Sequence, residues 1–249
     1  MSQIEIENLL YKTMGLDAAS IGASAIERAI QTRMVQSGAK GIEDYWFQLR
    51  SSATELQELV EAVVVPETSF FRHREAFAAL NRYVLEEWAP RHPSEKLRIL
   101  SIPCSTGEEP YSIVMSLLDA GLPSDRFSVE AWDISQRALA QAKQALYGKN
   151  SFRGHDLSFR ERYFQSEGDS CRVIARVRAQ VQFFQKNLLA PEHQKSTAQY
   201  DILFCRNVLI YFDRPTQAQA LATLKHLLTT QGIAFVGPAE ALQARRRSA

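Results

Sequence analysis

The sequence predicts an α/β fold in which a doubly wound parallel sheet follows an N-terminal all-α domain and carries a small antiparallel β insertion. Short apolar runs alternate with helical patterns from residue 97 onward, and this alternation requires parallel strands joined by crossover helices. Before residue 64 only helical spacing occurs. The first apolar run, 97–102, ends in a small-residue turn that opens a helix, as in the first crossover of a nucleotide-binding sheet.

Length and charge exclude several classes of protein. The chain of 249 residues is long enough for one main domain with a full core and a smaller second domain. Its formal net charge of +1 provides no basic field to attract phosphates, so no nucleic-acid partner is expected. No apolar run approaches the ~20 residues that cross a bilayer, and the N-terminus does not resemble a signal peptide. We therefore expect no direct membrane insertion, and the widely spaced cysteines indicate a reducing, cytoplasmic setting.

The cysteines and histidines show no metal-binding pattern. Cys104, Cys171 and Cys205 are widely spaced and form no C-x-x-C pair, so neither a disulfide framework nor a zinc site is indicated. The five histidines have no ligand spacing, which favours a surface or capping role for each. No metal cofactor is predicted.

The patterns divide the chain into two domains. Residues 1–64 form the predicted helical domain, in which Ile26, Ile30 and Met34 share one helix face. Residues 65–249 form the second domain. Its main elements are predicted as helices at 70–88, 109–119, 135–147 and 214–228 and as strands at 97–102, 127–132, 181–185, 200–205 and 232–236.

Residues 151–180 interrupt the alternation and predict a small inserted subdomain. A helical stretch at 159–164 precedes a turn and an alternating run at 173–178, which together predict a short helix and antiparallel strands. Few residues follow Val236, although a sheet of this type commonly closes with an antiparallel hairpin. We therefore expect a shortened chain.

The turn at 105–112, Ser-Thr-Gly-Glu-Glu-Pro-Tyr-Ser, indicates the class of ligand. Gly107 is its only glycine, so the G-x-G-x-x-G fingerprint that lets a backbone approach a pyrophosphate is absent. Glu108 and Glu109 at a helix start would repel a phosphate and favour a cationic or hydroxyl-rich ligand. S-adenosylmethionine has an amino group, a sulfonium and a ribose but no phosphate. The turn therefore indicates methyl transfer rather than nicotinamide chemistry.

Polar residues follow the next two predicted strands along the chain. Asp133 closes the strand at 127–132, where an acid can accept hydrogen bonds from ribose hydroxyls. Capping of the next helix is an equally good interpretation of Asp133 by itself. Asn187 follows the strand at 181–185, and its amide could bind an adenosyl group or serve only in a turn.

Two arginines stand beside aromatic residues. Arg206 and Asn207 directly follow the strand at 200–205, where a buried apolar continuation would be ordinary. Tyr211 comes next, and core packing is the alternative to a functional role for it. Arg72 precedes the sheet, with a solvated position or a local salt bridge as the alternative.

Together these motifs closely resemble the CheR-type chemoreceptor glutamate methyltransferases over nearly the whole chain. The motifs are Glu-Thr-Ser-Phe-Phe-Arg at 67–72, the turn at 105–112, Asp133, Asn-Leu-Leu at 187–189 and Cys-Arg-Asn-Val-Leu-Ile-Tyr-Phe at 205–212. The resemblance implies a Rossmann-like S-adenosylmethionine-dependent methyltransferase sheet. The amino-acid sequence near the N-terminus is similar to that of the Wsp surface-sensing branch of the family.

The resemblance also implies roles for individual residues. The acceptor would be held and the methyl transfer aligned by Arg72 and Tyr211. The cofactor, which leaves as S-adenosylhomocysteine, would be bound by Thr68 and Arg72 at its methionine end, by Gly107 and Glu109 of the turn, by Asp133 at the ribose, by Asn187 and Leu188 at the adenosyl part, and by Arg206 and Asn207.

The implied substrate is a glutamate side chain in the cytoplasmic helical region of a methyl-accepting receptor. A glutamate with a pKa near ~4.3 is already ionised at neutral pH, so the transfer needs alignment and exclusion of water rather than a general base. Arg72 could hold such a carboxylate in fork geometry. A basic helix face with Arg28, Arg33 and Lys40 could dock the acidic receptor, unless it is only a solvated face. A monomer is expected.

Departures from the family pattern leave an alternative open. Pro66 stands where the family commonly has Asn, Pro103 and Cys104 replace small residues, and Pro238 falls where the family has Gly-His-Ser-Glu. Pro66 and Pro238 favour a non-catalytic S-adenosylmethionine-binding regulator.

Overall fold

The computed structural model describes residues 3–154, 156–195 and 199–237. Its N-terminal part is helical, with α1 (Gln3–Met14), α2 (Ala18–Ile21), α3 (Ala23–Ser37), α4 (Ile42–Ser51) and α5 (Ala53–Val63). These helices share a core of fully buried apolar side chains that includes Ile6, Leu10 and Leu59. Ile134, from the C-terminal part of the chain, also packs against this core, so the helical part is joined to the sheet by apolar contact.

Arg33 is part of this helical core rather than of a docking surface. It is only 9% exposed, and its guanidinium pairs with Glu55 at 2.7 Å and with Glu58 at 3.2 Å. These carboxylates raise the pKa of Arg33. The prediction that Arg33 contributes to a basic face is therefore wrong, because two acidic residues of α5 hold its charge inside the domain, whereas Arg28 and Lys40 are exposed.

The chain then runs through an irregular segment into α6 (Arg74–Tyr83), a wider helical turn at Val84–Trp88 and α7 (Ala89–Arg91). The helix predicted at 70–88 therefore begins four residues late and continues through Pro90. Phe71 and His73 adopt left-handed φ values of 53° and 59°, and the Phe71 N–H is donated to the Ser112 hydroxyl. This tertiary hydrogen bond replaces the first helical turn.

The predicted fold class is confirmed. The strands of the two sheets are β1 (Leu97–Ser101), β2 (Phe127–Asp133), β3 (Leu146–Tyr147), β4 (Phe164–Glu167), β5 (Ser170–Val173), β6 (Val181–Gln185), β7 (Tyr200–Cys205) and β8 (Leu228–Val236). The main sheet has the order β6-β2-β1-β7-β8, and all its pairs are parallel. The strand order reverses between β1 and β7, and ligands of such sheets bind beyond the carboxyl ends of the strands at that point.

The remaining helices are α8 (Glu108–Asp119), α9 (Gln136–Gln144), α10 (Phe159–Tyr163), α11 (Ala175–Arg178) and α12 (Arg214–Leu227). The helix predicted at 135–147 ends early, because Ala145 turns to a left-handed φ of 54° and β3 follows. The insertion is a three-stranded antiparallel sheet of order β3-β5-β4, as predicted in outline. Its alternating run at 173–178 is not one strand, because Ile174 and Val177 both pack on the core across a turn of α11.

Within the described ranges, no helix is both long enough and apolar enough to cross a membrane.

Candidate functional site

A cavity of about 380 Å³ lies at the carboxyl ends of β1, β2, β6 and β7, and the helical domain covers its other side. The structure brings together nearly all residues that the sequence predicts for the site. Those that line the cavity are Thr68, Arg72, Glu109, Asp133, Asn187, Leu188, Arg206, Asn207 and Tyr211. Its volume lies in the usual range for small-molecule sites.

Gly107 lies behind the cavity and is not among its lining residues. Its φ is +94°, and a Cβ there would be 2.8 Å from the Ala142 Cβ and 2.9 Å from the Tyr147 hydroxyl. Only glycine combines this conformation with this close approach. Gly107 therefore shapes the turn by packing on α9, and the predicted direct contact with the cofactor has no support in the geometry.

The two adjacent carboxylates at the start of α8 point to different environments. Glu109 lines the cavity and accepts hydrogen bonds from the Ser101 hydroxyl at 2.9 Å and from Arg206 Nη1 at 3.0 Å. Glu108 is 2% exposed, and burial raises the pKa of its carboxyl group. The hydroxyls of Thr106 and Ser151 donate to it at 2.6 and 2.7 Å. Of these two carboxylates, Glu109 is therefore the one available to a ligand in the cavity.

Arg206 forms a buried bridge across the cavity wall. It is 4% exposed, and besides Glu109 it reaches the Arg72 carbonyl at 2.8 Å and His73 Nδ1 at 2.7 Å, both through Nη2. Its Nε–H is buried and has no hydrogen-bond partner among the described atoms. A buried donor without an acceptor is destabilising, so this N–H is a strained point in the wall that Arg206 forms.

Asp133 fixes two turns at once. Its carboxylate accepts the backbone N–H groups of Ser105 at 2.7 Å and Ser135 at 2.9 Å. The cap of α9 is Ser135, whose hydroxyl accepts from the Ala138 N–H, so the alternative role of Asp133 as the helix cap is wrong. Burial raises the pKa of Asp133. Each carboxylate oxygen retains a lone pair that can accept from a hydroxyl group.

Asn187 connects the sheet to the helical domain. Its Nδ2 donates to the Thr13 carbonyl, and its Oδ1 accepts from the Leu189 N–H at 3.0 Å. The amide that the sequence predicts for the adenosyl group is thus already engaged. Leu188 is 7% exposed and contributes an apolar wall beside it.

The segments that carry Arg72 and Tyr211 are each held by contacts with neighbouring residues. Among the described residues, the Arg72 guanidinium makes one hydrogen bond, from Nη1 to the Glu67 carbonyl at 2.9 Å. Phe70, two residues before Arg72, packs edge-on against the Tyr147 ring with centroids 4.8 Å apart. The Tyr211 carbonyl accepts from the Asp17 N–H at 3.0 Å. Both side chains are half-buried, so each can contact a ligand that enters the cavity.

The helical domain contributes a wall that the sequence did not predict. Met14, Leu16, Ser20, Ile21 and Ala25 line the cavity opposite the sheet. No local pattern could have indicated this, because a helix face that packs on a cavity has the same apolar spacing as one that packs on its own core.

Two further residues near the site were missed. Glu61 of α5 accepts hydrogen bonds from the Ser135 hydroxyl at 2.5 Å and from the Gln136 N–H at 2.6 Å, so it binds the start of α9 from the other domain. Ser101 orients Glu109. A polar residue that ends a buried apolar strand was an available signal for Ser101, whereas nothing local marks Glu61.

The donors and acceptors of the cavity are complementary to S-adenosylmethionine. Glu109 offers a carboxylate for an ammonium group, and Asp133 offers acceptors for ribose hydroxyls. Leu188 and Ile134 offer apolar surface for a purine ring. The described residues include no cluster of three or more potential metal ligands.

Comparison with known proteins agrees with this geometry. A family model described as the all-alpha domain of CheR methyltransferase matches residues 4–64, and one described as its SAM binding domain matches residues 66–249. The second match confirms the predicted cofactor class.

Curated relatives carry related names. Two are called probable biofilm formation methyltransferase WspC: that of Pseudomonas aeruginosa is 49% identical over 235 residues, and that of Pseudomonas putida 48% over 240. These alignments cover 94% and 96% of this chain but 56% and 57% of the relatives, so the chain spans little more than half their length. Chemotaxis protein methyltransferase 2 of Vibrio cholerae is 32% identical over 237 residues, covering 93% of this chain and 82% of that protein. The chain belongs to the CheR methyltransferase family.

Proposed function

We propose that this protein transfers the methyl group of S-adenosylmethionine to glutamate side chains of a chemoreceptor-type, methyl-accepting signalling protein. The products are glutamate methyl esters and S-adenosylhomocysteine. One observation carries the proposal: a half-buried arginine, Arg72, shares a cavity with the carboxylates of Glu109 and Asp133. The site therefore offers a cation to a carboxylate acceptor and carboxylates to a cationic, hydroxyl-bearing donor.

On the cofactor side, this chain's residues bind and orient. Glu109, held by Ser101 and Arg206, accepts from the amino group, and Asp133 accepts from the ribose hydroxyls. Leu188 packs on the adenine side, while Thr68 and Asn207 line the same space. When bound, S-adenosylmethionine supplies an electrophilic methyl group on its sulfonium.

On the acceptor side, the residues align an anion and exclude water. A glutamate side chain is ionised at neutral pH, so no residue has to remove a proton. One N–H of the Arg72 guanidinium donates to the Glu67 carbonyl, and the others can donate to a ligand. A fork of two such donors fixes a carboxylate in one orientation. Tyr211 orients the reacting groups by its hydroxyl and its ring face. The helical wall keeps water from the carboxylate, which strengthens its attack.

The partner is the cytoplasmic helical region of the receptor, and the enzyme acts as a cytoplasmic monomer. Residues 1–64 and 65–249 work as two domains, with the insertion at about 151–180. Of the three cations predicted to dock the receptor, Arg28 and Lys40 are exposed on the helical domain, whereas Arg33 is paired internally.

The alternative, a non-catalytic binding regulator, gains no support. Pro66 is exposed and is not among the cavity-lining residues, so it offers no argument for a lost cofactor contact. Pro238 lies outside the described residues. Arg72 and Tyr211, which a mere binding protein would not need, are both in place.

The test is a methylation assay with S-adenosylmethionine labelled in its methyl group and purified cytoplasmic fragments of methyl-accepting receptors. We expect label on the fragments that mild alkali releases as methanol, the behaviour of a carboxyl ester. Fragments in which the methylated glutamates are replaced by alanine should stay unlabelled, as should all fragments with the Asp133→Ala enzyme. A chain that binds S-adenosylhomocysteine but labels no fragment would instead be the regulator.

A further inference from the structure

His73 stands directly behind the cofactor cavity. It is the last residue before α6, with a φ of +59°, and its half-buried ring does not line the cavity. Its Nδ1 lies 2.7 Å from Arg206 Nη2. The same Nη2 donates to the carbonyl of Arg72, the neighbour of His73 in the chain. The 72–73 segment therefore holds one end of the guanidinium, and Glu109 holds the other.

We propose that His73 is a positioning residue of the cofactor site: its neutral imidazole accepts a hydrogen bond at Nδ1 and so holds the Arg206 guanidinium against Glu109. This inference rests on the proposed function, since it concerns the same cavity. His73 touches no ligand, and it acts through Arg206.

The geometry fixes the protonation state of the ring. A guanidinium has N–H donors and no acceptor, so the contact requires an unprotonated Nδ1, with the proton on Nε2. A protonated imidazole would turn a second N–H toward the guanidinium and set one cation against another. The ring would then have to leave Arg206, which would retain Glu109 and the Arg72 carbonyl as anchors.

The surrounding charges favour the neutral ring. Burial, Arg206 on the segment after β7 and Arg72 on the preceding turn lower the pKa of His73, and Glu75 on α6 opposes them. The lowered pKa places protonation below the ordinary value of 6.5. The support of Arg206 is therefore complete at neutral pH and is lost as the pH falls through the pKa of His73.

The experiment measures the dissociation constant of S-adenosylhomocysteine by calorimetry between pH 7.5 and 5.5. The key variant is His73→Asn, whose side-chain oxygen can replace Nδ1 as acceptor but cannot be protonated. Asparagine also tolerates a left-handed φ, so the turn is preserved. His92→Asn is the matched control, because His92 stacks on Trp88 with ring centroids 4.9 Å apart, on a different surface.

We expect wild type and His92→Asn to lose affinity several-fold over this range and His73→Asn to lose clearly less. The remaining slope reports carboxyl groups that all three proteins share. At pH 7.5, His73→Leu, which has no acceptor, should bind about tenfold more weakly than wild type, and His73→Asn should restore the affinity. A merely structural role would not produce this difference in pH dependence.

Three other results would overturn this proposal, the proposed function or both. Parallel pH curves for wild type and His73→Asn would overturn the proposal while leaving the cofactor site intact. Failure of every variant, wild type included, to bind S-adenosylhomocysteine would overturn both this proposal and the proposed function. Binding with the expected pH difference, but no receptor methylation, would overturn the proposed function alone.

Discussion

The two walls of the cavity are built differently. The sheet wall is polar: Glu109, Asp133 and Arg206 are each fixed by at least two hydrogen bonds to neighbouring residues. The helical wall is apolar, and Leu16 and Ile21 belong to or pack against the core of their own domain. One wall thus presents defined donors and acceptors, and the other presents a surface that excludes water.

The two walls therefore contribute differently to ligand binding and to the stability of the fold. Substitutions on the sheet wall should impair binding or turnover in a protein that remains folded. Substitutions on the helical wall should loosen the packing between domains and lower the free energy of unfolding. Matched pairs of variants can test this division.

The largest expected effect is on turnover. Arg72→Ala removes the fork that aligns the acceptor carboxylate, and loss of such an electrostatic contact lowers turnover on the order of 100-fold. S-adenosylhomocysteine affinity should fall by much less. The control is Arg74→Ala, two residues away, whose exposed ion pair with Asp156 contributes little. Near-normal receptor methylation by Arg72→Ala would contradict its role.

The adjacent carboxylates of α8 give the next largest difference. Glu109→Gln removes a charged acceptor from the ammonium site, so S-adenosylmethionine affinity should fall by ~1.5–3 kcal/mol, or roughly 10- to 100-fold. Glu108→Gln changes a side chain that faces Thr106 and Ser151, and the affinity should stay within about twofold of wild type. Calorimetry measures the S-adenosylmethionine affinity of both variants. Equal losses of affinity would mean that the turn, not Glu109 itself, determines binding.

The sequence located this turn but could not tell its two carboxylates apart. The motifs and strands are local patterns, and they predicted where polar residues follow buried strands. The separation of Glu108 from Glu109 depends on Ser151, 43 positions away from one, and on Arg206, 97 positions away from the other. No local pattern contains such partners.

The same limit explains the errors about cations and histidines. Arg33 has the spacing of a surface residue, but Glu55, 22 positions away, holds it inside the helical core. The sequence gives His73 a surface or capping role, and it does precede α6, but its side chain makes no cap and contacts Arg206 instead. Contacts of high sequence separation are thus what the sequence left undetermined.

The helical wall is tested at Gly15. A Cβ there would be 2.3 Å from Leu189 Cδ1 and 2.6 Å from Thr216 Cγ2, at a φ of +72°. Gly38 has nearly the same φ, +73°, with nothing within 4 Å of its Cβ position. Both alanine variants carry the left-handed strain of roughly 1–2 kcal/mol, and Gly15→Ala should lose a further ~1–3 kcal/mol from overpacking between the domains.

Chemical denaturation measures this difference, and calorimetry checks the cofactor affinity of the folded protein. Equal destabilisation of the two glycine variants would show that the domains separate without loss, which would contradict the packing described for the helical wall.

A smaller effect is expected at the hydroxyl of Tyr211. Tyr211→Phe removes one hydrogen bond, worth ~0.5–1.5 kcal/mol, so turnover should fall roughly 2- to 10-fold with cofactor affinity nearly unchanged. Its link to Asp17 runs through the backbone and is preserved. Tyr11→Phe is the counterpart on the helical side, since the Tyr11 hydroxyl donates to Asp213. It should reduce stability and not turnover, and the reverse pattern would contradict the division between the walls.

The smallest effect concerns stability against pH on the back of the sheet wall. Burial raises the pKa of Glu108, so the folded state binds this proton more tightly than the unfolded chain does. Its contribution to stability is therefore complete below its unfolded pKa of about 4.3 and is lost as the pH rises through the higher folded pKa. Glutamine cannot ionise, so the Glu108→Gln variant does not lose this stability. Its free energy of unfolding should rise relative to wild type by about 1 kcal/mol or less as the pH increases between the unfolded and folded pKa of Glu108. The amide of glutamine can keep the contacts with Thr106 and Ser151. Urea denaturation at several pH values measures the gain, and Asp133, present in both proteins, cancels. A gain that stays constant with pH would show that Glu108 is no more protonated in the folded state than in the unfolded chain.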